Sequence, residues 1–319
     1  MMKELPVLAI VVPCYNEEEV FTSSDGQLRS LLERMKDEGL IGSESRILYV
    51  DDGSKDSTWS LIENAVGEHP DAVSGLKLAH NVGHQNALLA GLEAAISFAD
   101  VTVSIDADLQ DDIMAIPQMI SKFLQGSEIV YGIRNSRESD SWFKRNSALS
   151  FYKMMNRLGV ESVYNHADFR LMSARAAREL LKYKETNIFL RGVVPHIGLK
   201  QDKVLYDRKP RQAGESKYPL RKMVNFAVEG ITSYSIKPVR FVFFIGLIFI
   251  IIALAISIYT LCRYLKNDTI EGWTSLMLSI WFCTGVLLIS IGIIGEYVGK
   301  IFLEVKERPR YVVETCHTK

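Results

Sequence analysis

The residues best suited to chemistry stand in short clusters behind apolar runs. The stretch "VSIDADLQDD" places Asp106, Asp108, Asp111 and Asp112 directly after a run that reads as a buried strand. Carboxylates this close repel one another, so the cluster costs stability unless a cation joins it. Asp106 and Asp108, two positions apart at an emerging strand end, project the same way. They suit a hard divalent ion such as Mg2+ or Mn2+, which takes oxygen ligands and bridges one or two carboxylates to substrate phosphates. Such an ion stabilises a departing diphosphate. Asp111 and Asp112 are expected to open the next helix, where negative charge complements the dipole.

Three more polar clusters follow apolar runs in the same manner: "PCYNEE" (13–18), "DDGS" (51–54) and "HNVGHQN" (80–86). Each alone has an ordinary explanation, since Asp and Asn cap helices and Asp-Gly-Ser forms turns. Together they imply one polar ligand. The runs before them read as strands at Leu8–Val12, Arg46–Val50, Leu76–Ala79 and Val101–Ile105, with a fifth at Glu128–Tyr131. Helical patterns at Ser57–Val66, Gln85–Ser97 and Ile113–Leu124 lie between them. Alternation of this kind predicts a doubly wound, mainly parallel Rossmann-like α/β sheet, with the ligand in the crevice beyond the strand carboxyl ends. No Gly-x-Gly-x-x-Gly follows the first strand and no Gly-Lys-Ser/Thr occurs, which disfavours a dinucleotide fold and a P-loop.

The chain of 319 residues carries 37 Lys and Arg against 38 Asp and Glu. This balance gives no general attraction to nucleic acid. Cys14, Cys262, Cys283 and Cys316 lack paired spacing, so neither a disulfide framework nor a zinc site is expected. Hydropathy divides the chain sharply. Phe241–Leu261 and Trp273–Gly295 are 21 and 23 residues without a charge, each long enough to cross a bilayer core of about 30 Å. A buried helix of a soluble protein would show a polar face. Arg221, Lys222, Lys237 and Arg240 precede the first span; Lys300, Lys306, Arg308 and Arg310 follow the second. The positive-inside rule thus puts both ends, and the soluble domain, in the cytoplasm. "YPLRKMVNFAVEGITSYSI" (218–236) has apolar residues at helical spacing; its position before a span favours an interfacial helix over a core-facing one. The expected organisation is a soluble domain at 1–218, an interfacial helix at 219–237, a transmembrane hairpin at 238–299 and a cytoplasmic tail at 300–319.

Read in order, "VVPCYNEEE", "VDDGSKDST", "NVGHQNALLAGL", "DADLQDD", "DFRLMS", "FLRGVV" and "RQAGESKYPLRKM" resemble glycosyltransferase family 2. Within it they look like the polyisoprenyl-phosphate glycosyltransferases, a group including bactoprenol glucosyltransferases and dolichol-phosphate mannose synthases. Any one motif is weak; the ordered set covers nearly the whole chain. The resemblance implies a GT-A domain and a UDP-sugar donor. By analogy Pro13, Tyr15, Asn16 and Glu17 line the nucleoside pocket and Asp52, beside Asp51, reads the uracil edge. Asn81, His84 and Ala107 are further expected on the nucleotide sugar, and Asp106, Asp108 and Gln110 on the metal. His84 stands where the family has a basic residue, and its role is left open.

The acceptor implied is a polyisoprenyl phosphate, undecaprenyl phosphate in a bacterial inner membrane. Arg134, Arg145 and Arg191 are candidate phosphate clamps, since guanidinium matches phosphate oxygens bidentately. Arg211, Ser216 and Lys217 lie just before the interfacial segment. Asp168 could salt-bridge Arg170 or cap a turn, but it is assigned to the active site; its role as a base stays open, because an ionised phosphate is already a nucleophile. The expected reaction is inverting hexosyl transfer from a UDP-sugar, glucose first and N-acetylglucosamine second, for cell-wall or surface-polysaccharide modification. A processive polysaccharide synthase is disfavoured by the lack of Gln-x-x-Arg-Trp and by only two spans. A non-catalytic nucleotide-sugar sensor would need no acceptor clamp. Gly285, Gly292, Gly295 and Gly299 permit close helix contacts, and the resemblance makes a homodimer or homotetramer an expectation.

Overall fold

Continuous runs of β-branched and aliphatic residues bury both faces of a strand, and this chain's first strand, β1 (Leu8–Cys14), is buried at every position. The computed structural model describes residues 5–134, 166–185, 188, 190–207, 239, scattered positions between 242 and 259, and 272–317. After β1 come α1 (Glu18–Asp37), β2 (Arg46–Asp51), α2 (Thr58–Glu68), β3 (Val73–Leu78), α3 (His84–Ala95), β4 (Val101–Ser104), α4 (Ala115–Leu124) and β5 (Ile129–Arg134). The chain resumes with β6 (His166–Ser173), α5 (Ala174–Leu181), α6 (Leu190–His196), β7 (Gln201–Tyr206), a long helix α7 (Trp273–Val305) and β8 (Val313–His317).

The eight strands form one sheet in the order β7-β5-β6-β4-β1-β2-β3-β8. Four pairings are parallel: β1 with β2 and β4, β2 with β3, and β5 with β7. The expected parallel character therefore holds at the centre, and two antiparallel strands modify it. β6 inserts between β4 and β5 and runs against both. β8 adds antiparallel to β3 at the edge. The third strand begins at Val73, earlier than its most apolar residues indicate.

Two glycines set how closely the layers approach. A Cβ on Gly91 of α3 would lie 2.4 Å from Val11 Cγ1 and 2.7 Å from Val50 Cγ2, so the helix rests directly on β1 and β2. Gly91→Ala is expected to destabilise the protein by about 1–3 kcal/mol through overpacking, read as a lowered Tm of the detergent-solubilised chain. Gly53 has φ +66°, and a Cβ there would sit 2.7 Å from Asn81 N. The second and third loops thus meet backbone to backbone.

The contacts define two units. One comprises Met1–Tyr152, Ser162–Lys217 and Arg308–Lys319; the other comprises Lys153–Glu161 and Tyr218–Glu307. The stretch expected as a plain tail after residue 300 is thereby divided. Helix α7 continues to Val305, and β8 belongs to the sheet. Ala79 N donates to Val312 O (2.9 Å), Lys77 pairs with Glu314 (3.1 Å), and Trp59 stacks on His317. Tyr311 also hydrogen-bonds Glu93 of α3.

Helix α7 has 33 residues, or about 50 Å at 1.5 Å per residue. Within it Phe282–Val305 is the one stretch among the described residues long and apolar enough to cross a membrane, with mean hydropathy 1.9. Its apolar side chains stand open, Leu287, Leu288 and Ile289 being 62–66% exposed. An apolar helix whose described side chains are this exposed is suited to lipid. The span expected at Trp273–Gly295 is therefore part of a longer helix. The first expected span is described only at scattered helical positions, and the interfacial segment 219–237 lies outside the described residues.

Candidate active site

The four polar loops converge on the carboxyl edge of the sheet because β1, β2 and β3 are parallel neighbours with β4 beside β1. Asn16, at φ 55°, turns the first loop toward the second. Its backbone N–H donates to Ser54 Oγ (3.0 Å) and its Oδ1 accepts from Lys55 N (2.9 Å). Glu17 N–H donates to Thr58 Oγ1 (2.9 Å). Pro13 pairs across to Val50 within the sheet, while Tyr15 is 42% exposed at the loop tip. Cys14 is no nucleophile: burial, with Glu17, Asp51 and Asp56 nearby, pushes its thiol well up.

Asp52 is buried, and both of its oxygens are engaged by the third loop. Oδ1 accepts from Val82 N (2.7 Å) and Oδ2 from Gly83 N (3.0 Å). Burial raises its carboxyl, against the opposing effect of those two N–H groups. In this geometry Asp52 holds the loop carrying Asn81 and His84. Asp51, fully buried, accepts from Ser54 N (3.3 Å) through Oδ2, and burial raises it as well.

The acidic loop leaves β4 at Ser104 and closes a turn, with Leu109 N–H donating to Asp106 O (3.2 Å) and Leu109 at φ 44°. Ser24 Oγ donates to Ala107 O (2.7 Å) and fixes the loop to α1. Gln110 supports Asp108 directly, its Nε2 donating to Asp108 Oδ2 at 2.6 Å. Asp106 faces His84, with Oδ1 3.5 Å from Nε2. Loss of hydration pushes the Asp106 carboxyl up to about 6; His84 opposes the shift, and Asp168, Asp111 and Asp108 add to it. An acid whose folded pKa is raised destabilises the metal-free fold above that value, and the penalty disappears below the ordinary carboxylate range. Asp106→Asn is accordingly expected to raise Tm near pH 7 in chelator, with the gain vanishing toward pH 4; thermal melts across that window check it.

β6, which sequence reading did not place as a strand, delivers Asp168 to this edge. Ser104 Oγ donates to Asp168 O (2.6 Å) across the β4–β6 pair. The Asp168 carboxylate meets Arg170 Nη2 (2.6 Å), Arg191 Nη2 (3.1 Å) and, at 3.9 Å, His84 Nε2. Burial alone would raise this carboxyl; the Arg170 and Arg191 guanidiniums outweigh it and hold Asp168 well below the usual carboxylate range. The bridge to Arg170 is therefore present, and the same carboxylate lies 3.9 Å from His84 Nε2. Arg191, expected on the acceptor phosphate, is turned toward Asp168 from α6, whose Leu190 N donates to Gln85 Oε1 (2.9 Å).

Asp111 corrects another expectation. It does not open α4, which begins at Ala115; it is buried against Arg134 Nη2 (3.1 Å) and Tyr206 Oη (2.7 Å). Asp112 keeps the helix-start role, its Oδ1 accepting from Met114 N (3.2 Å). Tyr206 is the site residue absent from the sequence expectations. Arg170, expected as a partner of Asp168, lies two positions from it, which places both on one face of the strand. Arg145, Arg211, Ser216 and Lys217 lie outside the described residues.

An α/β sheet whose polar loops bring Asp106, Asp168 and His84 together at its carboxyl edge is a frame suited to transfer chemistry on a polar ligand, and sequence comparison names the family. The chain belongs to glycosyltransferase family 2: Glycosyl transferase family 2 matches residues 9–181, and the GtrB C-terminal hairpin matches residues 237–301. The fold is accordingly GT-A, and the hairpin match together with α7 makes the protein membrane-associated. The chain is 52% identical to the uncharacterized glycosyltransferase YkoT of Bacillus subtilis over 98% of its own length and 93% of that protein's. It is 38% identical to the SfII prophage-derived bactoprenol glucosyl transferase of Shigella flexneri, over 97% of this chain and 98% of that one.

Proposed function

We propose that this protein transfers glucose from UDP-glucose to a polyisoprenyl phosphate, undecaprenyl phosphate in a bacterium, at the cytoplasmic face of the membrane. The observation carrying this reading is the end-to-end similarity to bactoprenol glucosyl transferases. The acid-lined crevice and the hairpin match in the same chain support it. Both spans are read as crossing the membrane, with the basic flanks and both termini cytoplasmic. N-acetylglucosamine is the second donor to test. The product, a lipid-linked monophosphoryl sugar, suits cell-wall or surface-polysaccharide modification.

The chemistry follows from the groups present. The lipid phosphate oxygen attacks the anomeric carbon as the bond to UDP breaks, one in-line displacement that inverts the centre. Asp106 and Asp108 fit a hard divalent ion, Mg2+ or Mn2+. They are oxygen donors two positions apart on the loop that follows β4, of the kind such an ion takes. When bound, that ion offsets the charge gathering on the departing diphosphate. Among the described residues no three acidic, histidine or cysteine side chains gather as a metal cage; Asp106 and Asp108 would hold the ion together with oxygens of the substrate. Gln110 orients Asp108 from outside rather than serving as a principal ligand. Held ionised by two arginines, Asp168 is a weak base; its task is to orient Arg191 and His84.

Membranes containing the protein, given labelled UDP-glucose and undecaprenyl phosphate, are expected to yield a short organic-soluble glucolipid with release of UDP. A polymer would favour a processive synthase, and donor binding without product would favour a sensor. Label entering lipid only from UDP-N-acetylglucosamine would replace the donor assignment.

A further inference from the structure

We infer that Asp111 and Tyr206 are positioning residues for Arg134, fixing its guanidinium as the phosphate-facing fork of the acceptor site. This rests on the reading above that Arg134 serves the lipid phosphate. Arg134 ends β5, and its register partner across the parallel pair is Tyr206 at the end of β7. Asp111 reaches both from the acidic loop. Its Oδ1 accepts the Tyr206 hydroxyl at 2.7 Å, Arg134 Nη2 at 3.1 Å and Arg134 Nε at 3.4 Å. One edge of the guanidinium is thus turned onto a buried carboxylate oxygen. Asp111 and Tyr206 are 3% and 4% exposed, whereas a quarter of the Arg134 side chain is open at the carboxyl edge of the sheet.

The surroundings are shaped for this contact. A Cβ on Gly132 would lie 2.9 Å from Tyr206 Cε1 and 2.7 Å from Phe169 Cδ1. The glycine lets the tyrosine ring cross β5, where Phe169 meets it edge-on at 5.3 Å. A buried carboxylate is costly unless paired, and here its partners are the Tyr206 hydroxyl and a cation at the site's rim. Planar guanidinium recognises phosphate only when its plane is fixed. Asp111 also follows Asp108 by three residues, so the loop holding the donor's metal pair and the arginine awaiting the acceptor share one anchor.

The test uses the full chain in detergent and farnesyl phosphate as a soluble acceptor probe, with binding read by calorimetry. Tyr206→Phe keeps the ring packing and removes the hydroxyl. It is expected to weaken farnesyl phosphate about fivefold to tenfold, the weight of one hydrogen bond, while UDP binding stays within about twofold. Asp111→Asn is expected to act in the same direction. The double variant Tyr206→Phe/Arg134→Lys is expected to bind no more weakly than Arg134→Lys alone, because the hydroxyl acts through the arginine. Equal weakening of UDP and farnesyl phosphate, multiplying effects in the double variant, or unchanged binding by Tyr206→Phe would overturn the inference. So would a wild-type chain that does not bind the probe. Wild-type protein that binds it but transfers no sugar would defeat the proposed function and leave this inference standing; glucosyl transfer with Tyr206→Phe binding unchanged would do the reverse.

Discussion

Asp108→Ala is expected to lower transfer by about a hundredfold to a thousandfold or more, while the protein still folds and inserts. Removing one preorganised group that stabilises transition-state charge costs about 10²–10³ in rate, and Asp108 is asked to hold the cation opposite a diphosphate leaving group. The stability cost is small by comparison. Asp108 is partly exposed and accepts from Gln110 N (3.3 Å) and Gln110 Nε2 (2.6 Å), so its loss removes two hydrogen bonds to that residue, about 1–3 kcal/mol together. Circular dichroism and Tm separate the two effects. Full activity of Asp108→Ala in the presence of a chelator would sink the metal assignment.

Arg170→Ala is expected to produce the largest stability loss of any single change considered. Arg170 is 2% exposed on an interior strand of the sheet. Removing it leaves the Asp168 carboxylate buried with Arg191 as its remaining close guanidinium. Breaking one side of a buried ion pair costs about 3–5 kcal/mol. In the wild type the depressed Asp168 carboxyl contributes stability that is complete above the ordinary carboxylate range and is lost only as pH falls through and below it. In the variant that acid limb is expected to move to higher pH. Replacing both partners with apolar or neutral groups of similar shape, Asp168→Asn with Arg170→Met, is expected to recover much of the stability and none of the activity. Recovery of activity in the double variant would remove Asp168 from the active site.

The readable parts of this chain are those whose burial is apolar. β1 and β2 announce themselves by apolar runs and β4 by its two valines, and the polar loops behind them mark the ligand edge of the sheet. β6 hid because its sequence, His-Ala-Asp-Phe-Arg-Leu-Met-Ser, sets two charges inside an interior strand. Those charges are tolerated only because they pair with each other and with Arg191, a residue 21 positions beyond Arg170. Asp111 was misplaced for a related reason: a helix start explains an acid locally, whereas its true partners, Arg134 and Tyr206, are 23 and 95 residues away. Local chemistry predicts local roles. β8 offers neither length nor an apolar face, and nothing local ties it to β3.

That last strand bears on how the protein is made. Lys77 and Glu314, which pair across β3 and β8, are separated by 237 positions, with the whole of α7 between them. Such distant pairings form slowly, and during synthesis the β3 edge stays open until α7 has been translated. The enzyme's sheet is therefore sealed only after its apolar helix has emerged, so delivery to the lipid bilayer can precede completion of the catalytic domain. Until then the open edge is a template for pairing with other chains. Synthesis without a membrane to receive α7 is the circumstance in which that edge becomes a hazard.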